Sequence, residues 1–171
     1  MHWLLIALAV VVALVLLVIV AGQFVPRKHT VTRHVVVQRP PEDVWRLLTD
    51  FAAYPAWRSG MKGIERRPDR DGKPVWAEDS KFGKIPYVVD ASGAPHRLVT
   101  VIADPSLPFA GRWTYVISRE KLGTRVAITE DGEIRSPLFR VLAHYVFGYT
   151  RTIDAVLKDL AKHCGEDVRP G

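Results

Sequence analysis

The sequence predicts an α+β fold: a curved, seven-stranded antiparallel sheet around a long C-terminal helix, with one apolar helix in front of it. Three observations lead to this prediction. Trp3 to Ala21 is an unbroken apolar run. Short β-branched segments separated by Gly, Pro, Asp and Ser follow, which is typical of an antiparallel meander. A helical pattern then runs from Ser136 to about His163, with apolar residues at steps of three and four.

The apolar run has the length of a membrane span, because 19 or so residues at about 1.5 Å each reach roughly the 30 Å of a bilayer's hydrocarbon core. The alternative is a cleaved signal peptide, which would have a basic n-region and a small-x-small cleavage site. Only Met1 and His2 precede the run, and Val20-Ala21-Gly22-Gln23 fits a cleavage site poorly. We therefore expect a retained anchor over residues 1–22, a juxtamembrane linker over 23–29, a domain over 30–164 and a tail over 165–171.

The flanks of the run predict its orientation. Arg27, Lys28 and Arg33 follow the run and no Lys or Arg precedes it, and positive flanks stay cytoplasmic. A single-pass protein with its N-terminus outside and its domain in the cytoplasm is expected. The single cysteine, Cys164, excludes an intrachain disulfide, which fits that location.

The net charge of +6 admits three explanations: nucleic acid, an anionic membrane surface, or a solvated basic surface. The basic residues are dispersed, without the aromatic-interleaved stripe of a single-strand binder or a recognisable DNA-binding motif. We expect no nucleic-acid partner. Juxtamembrane Lys and Arg gain about 1 kcal/mol each near anionic lipid, so the membrane surface is the simpler functional reading.

The elements follow in order. Residues 30–38 predict a strand, and Pro41 starts a helix whose first turn carries Glu42 and Asp43. Asp50 is expected to cap a second short helix, DFAAY, which Pro55 ends. Six further strands are predicted over residues 61–67, 74–79, 84–90, 96–103, 111–118 and 124–134.

Two prolines and two glycines refine these elements. Pro86 lies inside one predicted strand, which indicates an edge strand or a bulge. Pro137 suits the first turn of the C-terminal helix, with Ser136 as its N-cap, and Gly165 suits its end. Gly148 falls inside the predicted helix, where it costs up to about 1 kcal/mol relative to Ala; it is either neutral or marks a close approach.

Several stretches carry a family resemblance: PPEDVWRLLTDFAAYPAW, VWAEDSKFGK, PSLPFAGRWTYVIS, TRVAITEDGEIRSPLFR and VFGYTRTIDAVLKDL. Over about Thr30 to His163 the chain resembles the SRPBCC, or START/Bet v1-like, superfamily, and within it the bacterial polyketide cyclase/dehydrase and lipid-transport group. The resemblance implies a helix-grip fold with an apolar cavity between the sheet and the C-terminal helix. It does not imply a reaction, since fold does not fix function.

Stand-alone catalytic motifs are absent from the sequence. It has no GxGxxG, P-loop, HExxH or GxSxG. The histidines are scattered, His29 and His34 lie without further ligands at metal-binding spacing, and Cys164 has no evident base. We expect no metal and no cofactor.

An aromatic set should surround one space: Trp57, Trp76, Tyr87, Trp113, Tyr115, Tyr145 and Tyr149. These residues form either a solid core or the lining of a pocket for a small hydrophobic ligand. In GRWTYVIS, Trp113 and Tyr115 share one strand face while Arg112 must reach water. Both aromatic side chains are therefore expected on the concave face, over the C-terminal helix near Tyr145 and Tyr149.

Two carboxylates are the candidate acid/base groups. Glu130 shares a strand face with Val126 and Ile128, and Glu78 shares one with Trp76. A buried carboxylate needs a partner or a raised pKa, so each marks a possible site. The alternatives are a strand irregularity that returns the side chain to water, or a purely structural arginine partner.

Three functions stay open at this point. The first is a membrane-anchored module that binds a small hydrophobic ligand, lipid or polyketide-like. The second is a cyclase or dehydratase-like enzyme with Glu130 or Glu78 as acid/base and Tyr115 or Tyr145 orienting the substrate. The third is an interaction domain with a filled interior. The sequence gives neither the ligand nor the oligomeric state.

Overall fold

A computed structural model describes residues 2–80 and 83–171 and confirms the predicted fold. Seven antiparallel strands form one sheet in the order β1-β7-β6-β5-β4-β3-β2. The strands are β1 Lys28–Val37, β2 Met61–Arg70, β3 Lys73–Ser80, β4 Gly83–Gly93, β5 Arg97–Ile102, β6 Phe109–Glu120 and β7 Gly123–Ile134. The predicted turn between β3 and β4 includes Lys81 and Phe82, and the predicted anchor includes Met1; these three residues lie outside the described ones.

Five helices accompany the sheet: α1 His2–Phe24, α2 Pro41–Thr49, α3 Tyr54–Trp57, α4 Pro137–Leu142 and α5 Arg151–His163. A 3₁₀ turn, Phe51–Ala53, joins α2 to α3. Its Ala53 N–H donates to Asp50 Oδ1 over 3.3 Å, so Asp50 caps it as predicted. Pro55 does not end the second short helix as expected. It lies in the first turn of α3, where the amide hydrogen that proline lacks has no helical partner to lose.

Alternation along the strands creates the core. The concave face carries Val35, Val37, Tyr115, Ile117, Val126 and Ile128, all buried. The opposite face of the β1–β7 pair is polar: Thr30 Oγ1 donates to Asp131 Oδ1 over 2.8 Å, and the Thr32 and Thr129 hydroxyls lie 2.8 Å apart. From α5, a set of buried side chains covers the concave face: Ile153, Val156, Leu157, Leu160 and Ala161.

The predicted position of Pro86 at an edge or bulge is wrong. Pro86 pairs with Ala77 inside β4, which is an inner strand between β3 and β5. Its carbonyl accepts the Ala103 amide over 2.8 Å, beyond the last paired residues of β4 and β5. In a regular ladder the Ala103 carbonyl would accept the amide hydrogen of residue 86, which proline lacks. It accepts Arg70 Nη1 instead, over 2.6 Å. An arginine thus supplies the donor that a proline cannot.

The predicted helix from 137 to 163 is divided in two. After α4, residues Ala143–Phe147 form a π-helical turn, and Gly148 then takes a φ of +73°, which breaks the helix before α5. A non-glycine residue would be strained at this angle. Ser136 lies at the N-cap position of α4, but its side chain makes no capping hydrogen bond with a described residue. At the other end, Gly165 follows α5 with a φ of +88°, as a helix stop does.

The division changes which residues are buried. From the predicted apolar stripe, the members on α5 are buried, but Leu138 on α4 is 38% exposed and Tyr145 on the π-helical turn is 71% exposed. The break directs the segment before Gly148 away from the core. The first part of that segment, α4, packs beside the N-terminal helix instead, and the π-helical turn follows it.

Helix α1 is long and apolar enough to cross a membrane, a property that it shares with signal sequences. It extends to Phe24, and β1 begins at Lys28, so only residues 25–27 of the predicted 23–29 linker connect them without regular structure. Val25 is buried, and its carbonyl accepts Arg140 Nη1 from α4 over 3.0 Å. The short connection is therefore held against the domain.

The chain end covers the free edge of the sheet. Gly171 and His34 exchange two backbone hydrogen bonds of 2.9 and 3.0 Å beside β1. Arg33 donates to the Pro170 carbonyl over 2.8 Å and to Asp154 of α5 over 2.7 Å. Covering an edge strand in this way removes a template for intermolecular pairing.

Gly22 sets how closely α1 approaches α4, and its replacement tests that junction. A Cβ at Gly22 would lie 2.3 Å from the Pro137 carbonyl oxygen, so Gly22→Ala must push the helices apart at a cost of about 1–3 kcal/mol. Because local opening controls cleavage of a folded segment, we expect trypsin to cut after Arg27 about 5-fold faster or more.

Gly63→Ala is the matched control, because a Cβ there meets nothing within 4 Å. The rate of cleavage after Arg27, followed by intact-mass spectrometry in detergent, should be unchanged in this variant. Equal rates in both variants would show that α1 does not pack on α4.

Candidate functional site

The first polar group on the concave face, here called the Arg58 cluster, comprises Tyr54, Arg58, Glu78, Tyr87 and Tyr115. Glu78 lies on β3 beside Trp76, and Arg58 follows α3 directly. Arg58 Nη1 lies 3.2 Å from Glu78 Oε2, with side-chain exposures of 11% and 16%. For Glu78 the structure thus provides an arginine partner.

Burial controls the ionisation of this cluster. It raises the pKa of Tyr115 to about 12, against the opposing effect of the Arg58 charge. It also raises the pKa of Tyr54 well above its ordinary value and that of Tyr87 likewise, with Glu78 adding to the effect at Tyr87. Burial lowers the pKa of Arg58, but the Glu78 carboxylate and the nearby phenols outweigh it, so the net shift is upward. At neutral pH the cluster is one ion pair among neutral phenols.

Two adjacent residues, Trp57 and Arg58, each have a buried N–H donor without a hydrogen-bond partner among residues 2–80 and 83–171: Trp57 Nε1 and Arg58 Nε. The Trp57 side chain packs edge-on against Tyr54, with ring centroids 5.2 Å apart, and is 9% exposed. By contrast, the Tyr54 hydroxyl donates to the Leu48 carbonyl over 2.7 Å. Buried polar groups are nearly always hydrogen-bonded, so the two free donors mark this place as unusual.

The second polar group, the Glu130 cluster, comprises His29, Trp113, Glu130 and Tyr149. Trp113 and Glu130 are directly paired across β6 and β7, and Trp113 Nε1 donates to Glu130 Oε2 over 3.0 Å. His29 Nε2 lies 3.4 Å from the other carboxylate oxygen, and the His29 ring stacks on Tyr149 with centroids 4.0 Å apart. The carboxylate is thus held from both sides.

Gly132 provides the space for this arrangement. It lies opposite His29 in the β1–β7 register, and a Cβ at Gly132 would lie 2.3 Å from His29 Cε1 and 3.1 Å from Glu130 Oε1. Any larger residue would displace the imidazole from the carboxylate. The cluster therefore depends on a glycine that carries no chemistry itself.

The predicted aromatic set is only partly brought together. Trp113 and Tyr115 occupy the concave face, with ring centroids 6.1 Å apart. Trp57 and Tyr115 are buried, and the half-buried Trp76 stacks on Phe51 with centroids 5.7 Å apart. Tyr149 is connected to Trp113 indirectly, because it stacks on His29, which contacts Glu130. Tyr145 lies outside it, because the break at Gly148 directs the preceding turn outward. Whether these residues bind a ligand stays a prediction.

Sequence reasoning missed three members of these clusters: Tyr54, Arg58 and His29. Arg58 is 20 residues from Glu78, and His29 is 101 residues from Glu130, so only the folded chain joins them. His29 was interpreted as a juxtamembrane residue without ligand partners. Strand parity gives a signal for it: His29, Val31 and Val35 alternate on one face, and that face is inward.

Two open grooves lie elsewhere on the surface. One, of about 450 Å³, is at the junction of α1 and α4. The other, of about 240 Å³, lies between α2 and the end of α5 beside Cys164, whose thiol pKa is raised by burial. The predicted cavity between the sheet and α5 stays a prediction. Within the described part of the chain, no group of three or more His, Cys, Asp or Glu side chains is arranged to hold a metal ion.

Comparison with known proteins connects this geometry to a family. A family model described as polyketide cyclase / dehydrase and lipid transport matches residues 28–165, which confirms the resemblance found in the sequence. None of the curated proteins compared matches the chain.

Several solved structures are similar in fold. A START superfamily protein from Mycobacterium smegmatis is 20% identical, with a TM-score of 0.63, over 80% of this chain and 97% of its own. The Zhui aromatase/cyclase from Streptomyces sp. R1128 is 14% identical, with a TM-score of 0.63, over 81% and 94%. The di-domain ARO/CYC BexL from the BE-7585A biosynthetic pathway is 18% identical, with a TM-score of 0.60, over 81% of this chain but half of its own.

The buried tyrosines predict a loss of stability at high pH. Below pH 10 the Tyr115 hydroxyl keeps its proton in both the folded and the unfolded state, so its contribution to the free energy of unfolding is fully present. Because the folded pKa is raised from 10.0 to about 12, the unfolded state ionises first above pH 10, and the free energy of unfolding falls by up to about 2–3 kcal/mol by pH 12.

Tyr115→Phe should reduce this alkaline decrease, measured by urea unfolding between pH 9 and pH 12 as a change in slope. Tyr145→Phe is the control, since the Tyr145 side chain is mostly exposed, and should retain the wild-type slope. A Tyr115→Phe variant with an unchanged slope would show that this hydroxyl is not buried.

Proposed function

Since the chain belongs to the polyketide cyclase/dehydrase and lipid-transport family, we propose that it is a membrane-tethered protein that binds a small, mostly apolar molecule between its sheet and α5. The observation that carries this proposal is the pair of unpartnered donors, Trp57 Nε1 and Arg58 Nε. A buried donor without an acceptor costs about 1–3 kcal/mol. Ligand oxygen atoms that reach these donors would remove that cost.

The charge balance of the Arg58 cluster restricts the polar end of such a ligand. Glu78 already neutralises Arg58, so a ligand carboxylate would compete with Glu78 in a buried site, where an uncompensated charge is costly. A neutral acceptor, such as a carbonyl or hydroxyl oxygen, avoids this. The surrounding rings of Tyr54, Trp57 and Tyr115 favour an apolar body.

Tethering is supported by the surface next to α1. The segment 137–147 exposes five large apolar side chains there: Leu138, Phe139, Tyr145, Val146 and Phe147, which are 38–71% exposed. An exposed apolar patch next to a helix of membrane-spanning length fits insertion into the membrane interface. With Arg27 and Lys28 after the span, the domain would face the cytoplasm and exchange its ligand with the bilayer.

Native mass spectrometry of full-length protein extracted in detergent tests ligand binding. We expect a population that carries one apolar small molecule. Trp57→Phe keeps most of the ring volume but removes one donor, so the bound fraction should correspond to about 5- to 10-fold weaker binding, the equivalent of about 1 kcal/mol.

Trp45→Phe is the matched control, because Trp45 packs against the core from α2 outside the Arg58 cluster, and its bound fraction should equal that of the wild type. If wild-type protein from several extractions carries no small molecule, the proposal fails and the third function, an interaction domain with a filled interior, is favoured.

The second candidate function is a cyclase or dehydratase-like enzyme, and the contact between His29 and Glu130 favours it. A carboxylate 3.4 Å from an imidazole nitrogen is an arrangement that can take up and return a proton. Trp113 would hold Glu130 in place. Tyr115, on the same strand face as Trp113, is better placed than the exposed Tyr145 to orient a substrate.

Glu130→Gln separates the enzyme from the carrier. An amide keeps the hydrogen bond from Trp113 but cannot serve as an acid/base group. If the protein is a dehydratase, wild-type protein incubated with the molecule released from Glu130→Gln converts it to a species lighter by one water; if it is a cyclase, the product is an isomer of the same mass with a different retention time in liquid chromatography. If it is a carrier, both proteins retain a molecule of the same mass and retention time, which is the outcome we expect.

A further inference from the structure

The groove at the junction of α1 and α4 is strongly basic and lies outside both polar clusters. It has a volume of about 450 Å³ and is lined by Gln23, Phe24, Val25, Pro26, Arg27, Arg135, Pro137 and Arg140. Three of these residues are arginines and none is acidic. Among the residues that the structure describes, none of the three arginines forms an ion pair with a carboxylate.

Arg140 is the central residue of this groove. Its side chain is buried, at 4% exposure, yet it has one described hydrogen bond, from Nη1 to the Val25 carbonyl over 3.0 Å. Its Nε has no partner in the described part of the chain. A buried guanidinium without a carboxylate is costly, unless an anion occupies the site.

The other two arginines, Arg27 and Arg135, line the same groove, and backbone carbonyls or strand pairing fix their positions. Arg135 Nη1 donates to the Pro105 and Leu107 carbonyls over 2.7 and 2.6 Å, which fixes the side chain while leaving its charge uncompensated. The Arg27 carbonyl accepts the Ile134 amide over 2.8 Å, so its Cα position is fixed by β7. The three arginines therefore line one groove with positive charge, and a guanidinium group is well suited to binding phosphate oxygens.

The position along α1 identifies the source of that phosphate. Twenty-three helical residues span about 34 Å, slightly more than the roughly 30 Å hydrocarbon core of a bilayer, so the last turn of α1 reaches the headgroup layer. Gln23 and Phe24 of this turn line the groove, and Phe24 is 85% exposed. A groove at this depth lies among lipid phosphates, which are far more concentrated there than soluble phosphate.

We infer that this groove binds the phosphate of an anionic phospholipid headgroup, with Arg140 as the buried contact and Arg27 and Arg135 at the rim. The inference rests on the membrane tether of the proposed function, and not on the interior ligand. It gives the junction a second role: the lipid would hold the domain, through α4, in a fixed orientation on the membrane surface.

The test uses full-length protein in detergent micelles that contain equal amounts of phosphatidylglycerol and phosphatidylcholine, with bound lipid identified by native mass spectrometry. We expect retained phosphatidylglycerol to exceed phosphatidylcholine. Arg140→Gln and Arg27→Gln should each lower the retained phosphatidylglycerol at least about 10-fold. Arg119→Gln removes the same charge from an exposed site on β6 that pairs with Glu42, and should have no effect.

Arg27→Gln covers the case in which Arg140→Gln fails to fold, because Arg27 makes no buried side-chain contact in the described structure. Equal retention of both lipids by the wild type overturns the inference. Displacement of phosphatidylglycerol by excess inorganic phosphate also overturns it, because the groove would then be a soluble-phosphate site.

The membrane tether is checked separately, by fractionation of cells and the intact mass of the protein. A membrane-bound chain with α1 present and no preference for phosphatidylglycerol refutes only the headgroup site. A soluble chain that has lost α1 refutes the tether and the headgroup site together. Preference for phosphatidylglycerol that disappears in both groove variants supports the inference.

Discussion

The register between β6 and β7 is the constraint on which the rest of this structure depends. It places Tyr115 opposite Ile128, Trp113 opposite Glu130, and Gly111 opposite Gly132. A shift of one residue would move every one of these side chains to the other face of the sheet. The same pairing therefore buries the core beneath α5, brings Glu130 to the Trp113 indole, and leaves the space above Gly132 in which His29 lies.

The break at Gly148 is the second feature that determines this structure, because it lets the two parts of the C-terminal segment pack in different places. Helix α5 closes the concave face with fully buried side chains, while α4 contacts α1, and α4 and the π-helical turn both expose apolar side chains. A continuous helix over 137–163 could not do both, since one apolar stripe faces one direction. The domain is thereby joined to its N-terminal helix by packing as well as by the chain.

The elements that the sequence predicts correctly are those governed by local rules. β-Branched segments and the turn residues between them located all seven strands to within three residues at each end, and the inward position of Glu130 followed from alternation with Val126 and Ile128. Local rules failed where distant residues intervene. Pro86 predicts an edge strand because it has no amide hydrogen to donate. In the folded chain, Arg70, 16 residues away, donates to the Ala103 carbonyl in its place. Likewise, Arg58, His29 and Arg140 have ordinary sequence surroundings, and only tertiary contacts bury Arg140 and cover most of the other two side chains.

Charge compensation separates the three polar sites and gives each a different chemistry. In the Arg58 cluster Glu78 already compensates the charge of Arg58, so the unsatisfied groups are the N–H donors of Arg58 and the adjacent Trp57, which a neutral acceptor would satisfy. In the Glu130 cluster the compensation is conditional, because an imidazole pairs with a carboxylate as an ion only when protonated. At the junction groove, none of the three arginines is paired with a described carboxylate, which favours an anion there. On the two proposals made above, the interior would take a largely apolar partner and the junction a charged one. A phospholipid could satisfy the junction through its phosphate, but its phosphate could not enter the Arg58 cluster without displacing Glu78.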